Sequence, residues 1–259
     1  TNTDSDRATI QKEIDQFIDQ VTDNALATFN GKYLVDGSKQ SIATTSTKTA
    51  LINQSLQTEA GAAKLTELKD ASGKSLNIVA GDTVTVSVVS QGQVVSTTLT
   101  ITDSLTLSAV LAKGKVGSTA VVATDVVAGD AVVSDTANQK VTTPNGKACV
   151  SVVAGKAGVD NQISGFSVTI TDQYGNAKKS ANEKLEFSVL QFARDQQTED
   201  HAVKIHVGAA AGQTISMGLA DMRAESLGLQ ASDATVLNVS TPEKANAAIS
   251  AFDYALAKA

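Results

Sequence analysis

Residues 205–229 run Ile205-His-Val-Gly-Ala-Ala-Ala-Gly-Gln-Thr-Ile-Ser-Met-Gly-Leu-Ala-Asp-Met-Arg-Ala-Glu-Ser-Leu-Gly-Leu229. With Val203 just upstream, Ile205 and Val207 alternate with Lys204 and His206, the period-two pattern of a half-buried strand. Ile215, Met217 and Leu219 alternate in the same way with Thr214, Ser216 and Gly218. Gly208 and Gly212 bracket a small loop between the two runs, so the stretch predicts a β-hairpin. A short helical run is expected from about Asp221, and Gly228 stands where a left-handed residue would stop it.

Outward from this hairpin the pattern continues in both directions. Upstream, Leu185, Phe187 and Val189 alternate, and then Leu190 and Phe192 continue one residue out of phase. That slip predicts a β-bulge or a strand that changes sheets. Downstream, Ser240-Thr-Pro-Glu243 predicts a capping box with Pro242 in the first helical turn, where a missing N–H costs nothing. The stripe Ala245, Ala248, Ile249, Phe252, Ala255 and Leu256 follows. At the other end, Ile10, Ile14, Phe17, Ile18 and Val21 make one apolar stripe on a helix predicted over 4–24. Neither helix has an apolar partner nearby in sequence. The two are therefore expected to pack side by side beneath the 203–219 hairpin, burying Ile14, Phe17, Ile18, Ile249 and Phe252. Phe29-Asn30-Gly31-Lys32 carries an Asn-Gly turn, a strong hairpin signal.

Gly208, Ala209, Gly212, Gln213, Thr214, Ile215, Asp221, Met222, Arg223, Ala224, Leu227, Gly228 and Leu229 resemble the "GA-x-x-GQTI … DMRA-x-x-LGL" hairpin and turn of bacterial flagellins. Phe29, Asn30, Gly31, Lys32, Leu34, Asp36 and Gly37 resemble that family's "FNGK-x-L-x-DG" turn, and Ser5 to Ile14 its preceding helix. The start at Thr241 is similar to the family's long C-terminal helix. The resemblance covers about 1–38 and 185–259. It implies a non-enzymatic, extracellular subunit of the flagellar filament that supports motility and is exported without a cleaved signal peptide. It also implies other flagellin subunits, an export chaperone and a Toll-like innate receptor as partners. The family's terminal coiled-coil helices and its first outer-core helix have no counterpart in these 259 residues, so the chain by itself is expected to be a monomer.

The fold class expected is α+β. A helix-and-hairpin core over 1–40 and 183–259 is interrupted by a β-rich variable insertion over 41–182, of one or two small surface-exposed modules. Within the insertion, residues 50–68 predict one or two short helices. Thr83–Ser87 and Thr98–Thr102 predict a hairpin about Gln91-Gly92, Leu105–Lys113 a helix, and 120–122, 126–133, 150–153 and 166–170 further strands. The insertion carries a net charge of +1 and the flanks −7. Acidic flanks argue against a nucleic-acid partner, which needs a basic stripe. No run of 18 apolar residues suggests a membrane span. Gly, Ser, Asn and Lys near 36–40 and 181–184 suggest boundaries at which few contacts cross.

Catalytic chemistry finds little footing. The chain has no Trp, nine aromatic residues and the single Cys149, so it can form no intrachain disulfide. His201 and His206 do not have zinc-ligand spacing and read as surface residues. A hydrolase elbow is missing, and Gly208-x-x-x-Gly212 leads into a strand instead of a phosphate-binding helix. Asp172-Gln-Tyr-Gly-Asn176 lacks the spaced carboxylates of a calcium loop and reads as a turn. No catalytic residue, cofactor or metal is therefore expected. Asn53-Gln-Ser55 and Asn238-Val-Ser240 match the glycosylation sequon, and O-linked sugar on the Ser/Thr-rich centre is a family habit. A surface adhesin or glycan-binding β module is the alternative reading. An inserted metalloprotease is disfavoured because an HExxH helix is lacking.

Overall fold

The computed structural model describes residues 3–134, 140–210 and 212–259. The chain opens with α1 (Asp4–Ala25), whose N-cap Thr3 accepts from the Asp6 N–H while the Asp6 carboxylate accepts from the Thr3 N–H. This reciprocal box satisfies two orphan donors of the first turn. β1 (Thr28–Phe29) and β2 (Lys32–Tyr33) then form the expected tight hairpin, with Asn30 and Gly31 both left-handed.

Two antiparallel sheets make the body. β3 (Ala50–Asn53) comes first, followed by the long hairpin β4 (Thr83–Ser90) and β5 (Gln93–Thr100). Its turn at Gln91-Gly92 is also left-handed at both positions, as the twist of a two-residue hairpin demands. A short helix α2 (Leu107–Leu111) leads to β6 (Lys115–Val116), β7 (Thr119–Ala120), β8 (Val122–Val126), β9 (Ala131–Ser134) and β10 (Lys140–Thr142). β11 (Cys149–Val153), β12 (Gly165–Thr171), α3 (Lys179–Asn182), β13 (Ser188–Gln191), β14 (Val203–His206), β15 (Thr214–Met217) and α4 (Pro242–Lys258) complete the order. One sheet has strand order β13-β3-β11-β8 and the other β12-β4-β5.

The main core lies where the two sheets face each other. Leu51, Val150 and Val152 meet Val84, Val86, Val88, Phe166, Val168 and Ile170 there, and Leu107, Val110 and Leu111 of α2 close one end. The opposite face of the four-stranded sheet is covered too, by Val132 and Val133 over Ala50, Ile52, Cys149 and Val153. Every residue of β3 is consequently buried. This overturns the helix expected over 50–68. A short apolar run buried on both faces has no strand alternation to reveal it. Residues 65–67 contribute only a single 3-10 turn.

On the outer face of the three-stranded sheet, the register aligns Ser167, Ser87 and Ser96 in one row across the strands. Thr169, Thr85 and Thr98 form a second row, and Thr171, Thr83 and Thr100 a third. α4 lies along β12 and β4. The approach is close because Gly165 has no side chain: a Cβ there would stand 3.0 Å from the Ala251 nitrogen and 3.1 Å from the Ala247 oxygen. The buried face of α4 is accordingly Ala247, Ala248, Ala251, Tyr254 and Ala255. This corrects the expected stripe. Small residues face the sheet, while Ile249, Phe252 and Leu256 turn outward. The N-cap is Thr241, not Ser240, and its hydroxyl accepts from the Lys244 N–H; Pro242 does fall in the first turn.

The boundary expected at 182/183 is crossed by packing. β13 hydrogen-bonds to β3, and α4 rests on β12 and β4. Val89 of β4 shares a cluster with Ile18 of α1 and Ala247, Ala248 and Ala251 of α4. The register slip between Val189 and Gln191 is present, as the out-of-phase Leu190 and Phe192 predicted. The β14–β15 hairpin pairs Ile205 with Ile215 and Val203 with Met217. It stands away from the helices, with Ile205, Val207, Ile215 and Met217 exposed, so it does not cover them as expected.

Candidate functional site

α1 is fastened lengthwise to the segment that precedes α4. The Arg7 Nε donates to the Ser240 carbonyl at 3.1 Å. The Gln11 amide works in both directions: its Nε2 donates to the Leu237 carbonyl at 2.9 Å and its Oε1 accepts from the Val239 N–H at 2.7 Å. One side chain thus serves as a strand partner would for the Leu237 carbonyl and the Val239 N–H. Further along, the Thr22 hydroxyl accepts from the Ala224 N–H, and Ile18 packs with Leu227, Leu237 and the alanines of α4.

The two helices share one apolar cluster, joined through the 222–239 segment, and are not packed directly along the predicted stripes. Ile18 is 1% exposed, whereas Phe17 is 64% and Ile249 61% exposed. Ile14 and Val21 are half-buried and Ile10 is exposed. The burial expected of Phe17, Ile249 and Phe252 is thus corrected. Ile10, Ile14, Val239, Ala248, Ile249 and Phe252 instead line an apolar groove of about 390 Å³ between the helices. A groove of this kind favours an apolar side chain from outside over water.

The two motif-bearing stretches, far apart in sequence, adjoin. The Met222 N–H donates to the Val35 carbonyl at 2.8 Å, and the Leu219 N–H to the Lys39 carbonyl at 2.9 Å. Asp221 packs so closely on Gly37 that a Cβ there would lie 3.0 Å from its carboxylate. Asp221 also grips Arg223 through both oxygens, and this raises the Arg223 pKa. Phe29 at the first hairpin is exposed. At the tip of the second hairpin, between Gly208 and Gly212, the Gln213 side chain accepts from the Ala210 N–H; Ala211 lies outside the described residues. The helix expected after Asp221 is a single turn. The Leu229 N–H reaches the Ala224 carbonyl and the Gly228 N–H the Glu225 carbonyl, the two bonds of a Schellman stop, with Gly228 at φ +80.

A second concavity, an open cleft of about 970 Å³, lies among residues 36–41, 191–197 and 218–226 and the end of α4. Gln162, fully buried, lies behind it and ties together Glu225, Ser226 and Lys258 of its lining. Its Oε1 accepts from the Tyr254 hydroxyl at 3.0 Å and from the Lys258 Nζ at 3.3 Å, and its Nε2 donates to the Glu225 and Ser226 carbonyls. Burial pushes the Tyr254 phenol up to about 12. Burial also pushes Lys258 down to about 8, against the opposing pull of Asp221 and Asp195. Sequence reading missed this cluster. Its one signal was the four-residue spacing of Tyr254 and Lys258, which puts both on one helix face.

The remaining candidates take structural positions. His201 lies beside Glu199 at 3.5 Å, before β14 begins, while His206 is within β14; both are exposed. Asp172 accepts from the N–H groups of Tyr174 and Asn176, as a turn-closing carboxylate, and the Asn176 bonds hold its pKa low. Cys149 is buried, and desolvation pushes its thiol up to about 11. Asn53 is buried and donates to the Lys184 and Glu186 carbonyls, leaving it no room to carry a sugar. Among the described residues no group of three His, Cys, Asp or Glu is placed to hold a metal, and no helix is long and apolar enough to cross a membrane. Compared with protein-family models and with curated proteins, the chain matches none.

Proposed function

We propose that the chain is a segment of a flagellin-like filament subunit, extracellular and structural in function, whose activity is assembly with other subunits. The observation that carries this reading is the junction of the two motif-bearing stretches. Residues 29–37 and 208–229 resemble the family in sequence order, and they adjoin through the Met222–Val35 hydrogen bond and the close approach of Asp221 to Gly37. A chance likeness would not require two such distant stretches to touch. The groove between α1 and α4 adds a physical reason. A helix pair that leaves Ile10, Ile249 and Phe252 open to solvent offers a ready seat for further apolar helices.

The reading is tested in the complete protein by Ile249→Asp and Phe252→Asp. Both side chains are exposed, so each variant should fold with a melting curve close to that of the parent. A carboxylate in the groove should nevertheless abolish or sharply reduce filament formation, seen by electron microscopy. Filaments of normal length and yield from both variants would remove the groove from assembly.

A further inference from the structure

Lys258 lies on the last turn of α4 and lines the open cleft. Its ammonium donates to the Ser226 carbonyl and to the Gln162 Oε1, both neutral acceptors. The Tyr254 ring lies beneath it, with its centroid 6.0 Å away. Among the described ion pairs none includes Lys258. Lys178 makes the contrast: it is also largely buried, but its Nζ lies 2.5 Å from the Asp82 carboxylate. A lysine amine that is desolvated without a contacting carboxylate, yet opens on a cavity, is placed as nucleophilic lysines are.

We propose that Lys258 is the selectively reactive lysine of this chain, a modification site at which a small aldehyde condenses to a Schiff base within the cleft. The ammonium first gives a proton to solvent. The Nζ lone pair then adds to the carbonyl carbon, and the carbonyl oxygen leaves as water with the two remaining nitrogen protons, so a C=N bond replaces the C=O bond. The charged groups facing the cleft set the balance. Asp195 and Asp221 favour the ammonium, burial opposes it, and the net effect leaves the amine at about 8. Arg223 is committed to Asp221, and Arg194 donates to the Ser41 carbonyl. Glu225, Asp36 and Asp160 lie on the remaining walls. The inference does not depend on the proposed filament role.

The test is trace labelling of the intact chain with glyceraldehyde and cyanoborohydride, with sites quantified by peptide mass spectrometry. At pH 7.5 an amine of pKa about 8 holds on the order of 10² times more neutral form than a solvent lysine of pKa about 10.4. Lys258 should therefore label about tenfold or more faster than exposed Lys12, Lys32 and Lys204, even with restricted access. Its rate should level off above about pH 8.5. Lys258→Arg, which keeps the cation, should remove the fast site and leave the others unchanged. Labelling of Lys258 no faster than the three exposed lysines, or a rate still rising at pH 10, would overturn the proposal.

Discussion

Single residues fix the geometry most sharply where no side chain can be added. Gly228 combines φ +80 with a Cβ position 2.2 Å from the Ser164 Cβ. Gly31 has a similar φ of +72 but open space around it. Gly31→Ala should therefore cost about 1–2 kcal/mol from backbone strain alone. Gly228→Ala should cost clearly more, because Ser164 and the Schellman turn must also shift; urea melts of the two variants would show the difference. Equal losses would mean that the contact with Ser164 is easily relieved. Lys258 and Tyr254 predict a pH signature. The folded pKa of Lys258, about 8, lies below its ordinary 10.5, so between these values the unfolded chain binds more protons and stability rises with pH. Tyr254 is shifted the other way, from 10.0 to about 12, so stability falls as pH climbs from 10 to 12. In Lys258→Met the rise between pH 8 and 10.5 should disappear while the later fall remains. A rise of the same size in the variant would assign it to another group.

At the scale of elements, α1 separates burial from mere apolarity. Ile18→Ala should cost about 2–5 kcal/mol, as expected for a fully buried aliphatic residue. Phe17→Ala should cost less than about 1 kcal/mol, in line with exposed positions. Denaturant melts reporting the reverse order would rotate the helix and refute its packing. These helices also show what could be read from sequence. The extent of α1, the β4–β5 hairpin, the Asn30-Gly31 turn and the slip at Leu190 followed from periodicity and turn chemistry. Which face of α4 is buried did not. Hydrophobicity favoured Ile249 and Phe252, but the close approach allowed by Gly165 selected Ala247 and Ala251. That choice depends on a glycine in another element, which a helical pattern cannot register. β3 was hidden for a related reason, since strands covered on both faces lose their alternation. Gln11, Asn53 and Gln162 were invisible as well, because a buried amide is recognisable only by the backbone groups it reaches.

At the scale of the molecule, packing joins what composition divided. Charge and motif separate 41–182 from its flanks, yet α4 rests on β12 and β4, and β13 completes the sheet beside β3. Replacing 41–182 with a Gly/Ser linker should therefore strip Ala247, Ala251 and Tyr254 of their cover. The helical circular dichroism signal should then lose its cooperative melt, and a sharp transition near the parent's temperature would restore the flanks as an independent domain. The central claim is that the joined body belongs to a filament subunit, with the α1–α4 groove facing other helices. It is tested most directly on cells that produce the protein, by shearing off their flagellar filaments and identifying the main component by mass spectrometry. The account predicts that peptides of this chain, including those spanning Phe29–Gly37 and Gly208–Leu229, dominate the filament fraction. Their absence from purified filaments, with the protein recovered elsewhere in the same culture, would contradict it.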